Sequence, residues 1–208
     1  DSPTNNYATW NTSIPHVTTS HGGLNITNQR NCTTTFGKFK TGKYYFEWNA
    51  TQGGYIGVTD NIDSWGDDTT PFAHSDDSLG YYAANQKVYR NSSTGVTYGS
   101  SPIQSGVLAM AVDFDNGSIE YFHNGSSIGY ATTVTSALTS GKEYYIAGQG
   151  LDTTNDIKTN FGQQPFRHTP PAGFVGLNRK TSPANKFIDG TDHFRTILAN
   201  ATTGNYTS

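Results

Sequence analysis

The stretch AVDFDNGSIEYFHNGSSIGYA, residues 111–131, sets Asp113, Asp115 and Asn116 close together and Glu120 soon after, and carboxylate and amide oxygens of this kind ligate calcium. An EF-hand loop, however, needs a third oxygen ligand at 117 and glycine at 118, so Gly117 arrives one residue too early. The flanks favour a plainer reading. Leu108, Met110, Val112 and Phe114 alternate with Ala109, Ala111, Asp113 and Asp115, and Ile119, Tyr121 and His123 alternate with Glu120 and Phe122. That is strand periodicity. Asn116-Gly117 and Asn124-Gly125 then fall where hairpin turns take positive φ. Three antiparallel strands are expected, with Asp113 and Asp115 in strand and turn, not in a chelate.

Other chemistry is sparse. The six histidines, at 16, 21, 74, 123, 168 and 193, show neither His-x-His nor His-Glu-x-x-His spacing, so no zinc site is expected. "YGSSP" lacks the Gly-x-Ser-x-Gly elbow of a serine nucleophile. A glycosidase needs two carboxylates across a cleft. Asp113 with Glu120, or Glu47 with Asp113, are the formal candidates, but isolated acids on the polar face of a strand explain each more simply. The acidic stretch from Asp60 to Leu79 carries Asp63, Asp67, Asp68, Asp76 and Asp77, a set that is either a calcium loop or a solvated run. No catalytic residue, metal or cofactor is expected.

Composition bounds the elements that hold these groups. The 208 residues suit one sandwich domain with extensions, and 23 glycines, 13 tyrosines and 11 phenylalanines with only 14% charged residues favour strands and turns. Apolar residues make up 33%, so the core must be built from aromatic and β-branched side chains. A net charge of −3 without a basic stripe argues against nucleic acid, and no apolar run reaches membrane-spanning length. Cys32, the single cysteine, excludes an internal disulfide and is expected as a small buried hydrophobe. Asn-x-Ser/Thr triplets recur at Asn11, Asn25, Asn31, Asn49, Asn91, Asn116, Asn124, Asn200 and Asn205, which raises the question of glycosylation. Opening on Asp1, the sequence reads as a processed chain or an excerpt of a longer one.

Along the chain, residues 1–35 are polar and threonine-rich, with "LNIT" and "CTTTF" as short edge strands. In "GKYYFEW", Tyr44, Phe46 and Trp48 share a face, and Gly53-Gly54 suggests a hairpin into "YIGVT". "GYYAA" and "KVYR" form a further pair, and "EYYIAGQG" and "IKTNFG" follow. Short strands at even spacing imply an antiparallel two-sheet β-sandwich.

"GKYYFEW", "GYIGVT", "GYYAANQKVYRN", "TYGSS", "GVLAMAVDFDNGSIEYFHNG" and "IKTNFGQQPFRHTPPAGFVGL" together resemble the SPRY domain family over about residues 36–177. The resemblance implies an all-β, concanavalin-like jelly roll with Val112, Phe114, Ile119 and Phe122 in the core, and a structural role for the Asp-x-Asp-Asn-Gly turn. It divides the chain into an N-terminal segment (1–35) packing on the sandwich, the SPRY sandwich (36–178) and a C-terminal tail (179–208). "DSPTNNYATWN" and "FIDGTDHFRTILANATTGNYT" are similar to segments that bracket SPRY domains in virion proteins of tailed bacteriophages.

The resemblance implies a non-enzymatic display, adhesion or assembly module on the virion, a tail fibre or surface decoration. Its expected partners are other virion chains, in a homo-oligomer, and a host-surface glycan or protein. A polysaccharide-cleaving enzyme and an intracellular peptide-binding adaptor are the alternatives. For ligand binding the expected residues are Trp65, stacking on a sugar or anchoring a protein with Asp67 and Asp68 beside it, and Tyr81 and Tyr98 near strand ends, with Tyr82 and Tyr89 as neighbours. Trp65 has a second reading, as a cap on the core. The tail residues Phe187, Ile188, Phe194, Ile197 and Leu198 are too apolar for a free tail and are expected at an assembly contact.

Overall fold

The computed structural model describes residues 6–49, 54–62, 65, 70–74, 77–99, 102–103, 105–130, 138–151 and 156–181. The strands are Thr19–Ser20 (β1), Asn25–Ile26 (β2), Asn31–Thr33 (β3), Lys43–Asn49 (β4), Tyr55–Thr59 (β5), Ser78–Tyr82 (β6), Lys87–Tyr89 (β7), Val96–Thr97 (β8), Val107–Asp113 (β9), Ser118–His123 (β10), Ser126–Tyr130 (β11), Tyr145–Gln149 (β12) and Ile157–Asn160 (β13). They form two antiparallel sheets, a seven-stranded one in the order β1-β2-β13-β4-β9-β10-β11 and a six-stranded one in the order β3-β12-β5-β6-β7-β8. The only helical element among the described residues is a 3-10 turn, Phe72–His74, and no helix there is long and apolar enough to cross a membrane.

The inner faces pack aromatic against aliphatic. Tyr44, Phe46 and Trp48 of β4, Leu108, Met110 and Val112 of β9 and Ile119 and Tyr121 of β10 meet Ile56 and Val58 of β5, Leu79 and Tyr81 of β6, Val88 of β7 and Ile146 of β12. The Tyr121 hydroxyl crosses between the sheets and donates to the Ile56 carbonyl at 3.0 Å. Gly148 leaves room for Trp10: a Cβ there would stand 2.8 Å from the Trp10 ring. The N-terminal residues are thus part of the fold, with Ala8, Trp10, Ile14, Ile26 and Cys32 inside the core. Burial pushes the Cys32 thiol up to about 12, as expected of a small hydrophobe out of reach of water.

The three-strand expectation for the opening stretch is met, since β9 pairs β10 and β10 pairs β11. The two Asn-Gly turns differ, however. Asn124 and Gly125 both have positive φ, 48° and 79°, in a two-residue turn between His123 and Ser126. Between Asp113 and Ser118 the turn holds four residues, and only its last, Gly117 at φ 66°, is left-handed. Asp113 takes the role that a second left-handed residue would have played: its Oδ1 accepts from the Asp115 and Asn116 backbone N–H groups at 3.0 Å each.

Two strand assignments are corrected. β4 and β5 are not a hairpin, because β4 lies between β13 and β9 while β5 lies in the other sheet. The chain changes sheets there, and Gly54, at φ 92°, is so closely packed that a Cβ would stand 2.4 Å from the Gln149 carbonyl oxygen. β12 and β13 likewise sit in different sheets. Of the two short strands expected at edges, β3 is an edge, but β2 is enclosed between β1 and β13.

Both outer faces are covered too, which the alternation of polar and apolar residues did not suggest. On the seven-stranded sheet, Tyr45, Ala109 and Ala111 form a second small core with Phe122, Phe166 and Phe174. Phe122 therefore belongs to the outer face, while Val112, Phe114 and Ile119 lie in the main core as expected. Glu47 pins this cover down. Its Oε2 accepts from Arg167 N and its Oε1 from His168 N, both at 2.9 Å, and Oε1 also accepts from the Tyr45 hydroxyl at 3.2 Å. The six-stranded sheet is covered by the Phe72–His74 turn, which lies close because β6 carries glycine beneath it: a Cβ at Gly80 would stand 2.7 Å from the Ala73 Cβ. The Asn31 side chain holds this cover from below, donating to Thr70 O and accepting from Phe72 N at 2.9 Å each.

Two substitutions check these assignments. Gly117→Val should lower stability by about 1 kcal/mol or more, because a β-branched residue is forced to positive φ. Glu47→Ala strands two backbone N–H groups and a tyrosine hydroxyl, and should cost about 2 kcal/mol or more. Urea unfolding midpoints measure both.

Candidate binding groove at the loop end of the sandwich

Three loops meet at the end of the sandwich where β4 and β12 begin. The first, residues 37–42, is joined to the third, residues 138–144, by reciprocal backbone hydrogen bonds between Phe39 and Tyr144 at 2.7 and 2.9 Å. The second is the four-residue turn after β9. Its Phe114 N–H donates to Gly42 O at 3.0 Å, and Asp115 Oδ1 accepts from Gly42 N at 2.9 Å. Leu138 N–H donates to Gly117 O at 3.1 Å and closes the circuit. Beneath them the Phe39 and Phe114 rings stack 5.5 Å apart.

The loops enclose a groove of about 280 Å³. Phe114, Leu138 and Tyr144, all buried, form its floor, and Lys40, Asp115, Asn116 and Ser140, all exposed, line its rim. Asp113 supports the turn from behind, with the Lys43 ammonium at 2.8 Å and the Asn116 side-chain amide at 2.7 Å. Burial raises the Asp113 carboxyl, but the hydrogen bonds from Lys43 and Asn116 and the Lys43 charge outweigh it and hold the group below the usual carboxylate range.

The third loop is also bolted to the six-stranded sheet. The Lys142 ammonium lies 2.9 Å from both Asp60 Oδ2 and Asp77 Oδ2, and Asp77 Oδ2 further accepts from the Tyr144 and Thr139 hydroxyls at 2.9 and 3.0 Å. Asp60 and Asp77 are the two ends of the long acidic stretch, joined to each other through Asp60 N–H to Asp77 O and Asp77 N–H to Asp60 Oδ1, both at 3.2 Å. Burial raises the Asp77 carboxyl, yet Lys142, Tyr144 and Thr139 together bring it below its ordinary value. The same two carboxylates raise the Lys142 ammonium.

Of the residues expected to bind, Trp65, Tyr81 and Tyr98 do not line this groove. Trp65 is 7% exposed and packs its ring 6.1 Å from that of Phe72, which is the cap-on-the-core arrangement. Tyr81 and Tyr98, at 1% and 4% exposure, are not at a recognition surface: their rings pack around Tyr121 between the sheets. Tyr82 stacks on Tyr55 at 4.8 Å, and Tyr89 packs edge-on to Tyr55, both on the outer face of the six-stranded sheet. Asp67 and Asp68 lie outside the described residues, as do Asp63, Asp76, Phe187, Ile188, Phe194, Ile197 and Leu198.

Of the formal acid pairs, Glu47 and Asp113 are buried with the partners given above, and Glu120 accepts from the Ser127 hydroxyl. The idea that Glu47 and Asp113 are merely solvated strand acids is therefore corrected; each organises a turn or a cover. Among the described residues no three His, Cys, Asp or Glu side chains converge as a metal site would require. Sequence reading missed Lys40, Ser140 and Lys142 altogether. They lie in loops without motif or periodicity, and the one available signal was glycine beside lysine just ahead of an aromatic strand, as in "GKEYY".

No family model matches the sequence. Among solved structures, the SPRY domain of human HERC1 superposes with a TM-score of 0.55 at 15% identity, over 75% of this chain and 99% of that one. The TRIM65 PSpry domain gives 0.53 at 12% identity, over 76% and 93%, and a human SPRY domain gives 0.51 at 14% identity, over 72% and 98%. At such identities the likeness speaks for architecture, and the fold is the SPRY-type β-sandwich.

The depressed Asp77 carboxyl sets a pH dependence. A folded value below the ordinary 3.8 means that the unfolded chain binds protons first, so the stability Asp77 confers is full above 3.8 and is lost as pH falls below it. Asp77→Asn should lower the melting temperature at neutral pH and flatten its fall below that value. Asp113, shifted the same way, retains its own share of the acid loss. Thermal melts of both proteins across the acid range test this.

Proposed function

We propose that the chain is a non-enzymatic binding module, a SPRY-type sandwich that displays its loop-end groove on a virion for adhesion or assembly. The observation that carries the binding role is the groove itself. Three loops from both sheets are cross-braced by backbone hydrogen bonds into one rim, and a rigid frame presenting loops is how β-sandwiches recognise partners. A non-enzymatic reading is supported by how the acids are used, since Glu47, Asp77 and Asp113 each hold backbone or side-chain donors in place.

The virion setting rests on the flanking segments "DSPTNNYATWN" and "FIDGTDHFRTILANATTGNYT", similar to those of tailed-bacteriophage structural proteins. In that setting the apolar residues Phe187, Phe194, Ile197 and Leu198 make contacts with neighbouring virion chains in a homo-oligomer, and the groove faces a host-surface protein.

The test combines particle and groove. Mass spectrometry of density-purified phage particles should find this chain. Ser140→Arg, which fills the groove from an exposed position, should abolish adsorption of the protein to host cells without changing its melting temperature. Absence from particles removes the virion role. Undiminished adsorption by the variant removes the groove, and release of reducing sugars from host polysaccharide would make the protein an enzyme.

A further inference from the structure

Where β13 stops, residues 174–176 take over as the neighbour of β4. Val175 pairs with Tyr44 in parallel, accepting from the Tyr45 N–H at 2.8 Å and donating to the Lys43 carbonyl at 3.1 Å. Val175 is 40% exposed, and Val96 on β8 is the one other large apolar side chain left so open among the described residues. Phe166 and Phe174, both half-buried, adjoin this edge, and a Cβ at Gly176 would stand 3.3 Å from the Phe166 ring. An open valine beside two half-buried rings is an apolar cluster and not a single stray side chain.

The last described residue, Thr181, is fixed to the same edge. Its Oγ1 donates to the Gly176 carbonyl at 2.6 Å, and its own carbonyl accepts from the Tyr44 hydroxyl at 3.0 Å. From there six residues lead to Phe187, a reach of about 20 Å, and Ile188, Phe194, Ile197 and Leu198 follow. We propose that two copies of the chain exchange these tails across a two-fold axis, residues 187–198 of each covering the 174–176 edge of the other. The contact rests on the homo-oligomer proposed above and supplies its interface. Donor and receiver lie side by side on one edge, which is what an isologous contact needs: two copies set edge to edge bring each tail to the other's Val175. Pro183 favours an extended backbone at Ser182, and so a departure away from the chain's own edge. Charge does not oppose the contact. From 157 to 181 the chain carries Lys158, Arg167, Arg179 and Lys180 and no carboxylate, so Asp189 and Asp192 of the tail meet no like charge from that segment.

The test uses the full chain. Sedimentation equilibrium should show a dimer, and Val175→Asp, at an exposed position, should weaken it by about tenfold or more with an unchanged circular dichroism spectrum. A second measurement needs no loss of affinity. Val175→Cys and Phe187→Cys, made in separate chains of different mass, mixed and oxidised, should yield disulfide-linked pairs with one chain of each kind, and more of them than either variant gives with itself. Cys32 is buried and takes no part.

A dimer that Val175→Asp leaves at full strength overturns this edge as the receiver, while the assembly role of the tail stands. If the doubly substituted protein forms its disulfide only within single chains, the tail lies on its own edge and the exchange is overturned. A monomer at every concentration overturns it too, together with the homo-oligomer. Absence of the chain from phage particles, by contrast, removes the virion role and leaves a cross-linked dimer in support of the exchange.

Discussion

The hydrogen bond from the Tyr121 hydroxyl to the Ile56 carbonyl joins the two sheets through the middle of the core, and the fold is arranged around the need that it meets. A chain that is one-third apolar, with a single methionine, must fill its interior with rings, and many of those rings carry a hydroxyl. Burying a tyrosine gains a large apolar area at least cost when its polar tip finds a partner. Tyr121 finds a main-chain oxygen of the opposite sheet, so one contact supplies both packing and a fixed spacing between layers. Tyr81 and Tyr98 then pack against its ring, and Trp48 meets it edge-on. The same solution recurs on the outer face, where the Tyr45 hydroxyl donates to Glu47, and at the loop end of the core, where the Tyr144 hydroxyl donates to Asp77.

What could be read from the sequence follows the range of the forces involved. The β9–β10–β11 meander was legible because alternation and Asn-Gly turns are local, each written within a few residues. The exchange of the chain between sheets at Gly54 was not, because a glycine pair signals a turn but does not say which strand lies beyond it. Trp65 illustrates the other limit. A tryptophan among carboxylates looks like a recognition residue until Gly80 on a distant strand is seen to leave space for the turn that receives it. The groove was hidden for the same reason: its rim is assembled from three loops whose only common property is that main-chain groups far apart in sequence satisfy one another.

The carboxylates show how a weakly charged chain uses what charge it has. Glu47, Asp77 and Asp113 are each largely withdrawn from water and each accepts from several donors, so they act as rigid multi-point fasteners and not as solubilising surface groups. Lys142, itself exposed, ties the groove loop to both ends of the segment that covers the six-stranded sheet, which makes the rim mechanically continuous with an outer layer of the sandwich. Preorganisation of that kind lowers the entropic cost of binding at the rim.

Asn31 and Asn25 carry a consequence for covalent chemistry. Both stand in Asn-x-Thr triplets, and both direct their side-chain amides inward: Asn31 to Thr70 O and Asn25 to a carboxylate oxygen of Asp156 at 3.0 Å. An oligosaccharide on either nitrogen would have to displace that partner once β2 and β3 have joined their sheets. A transferase would reach those two asparagines most readily before the strands close, and a sugar there would compete with the native hydrogen bonds, so for this fold the two triplets set a glycan against the native state.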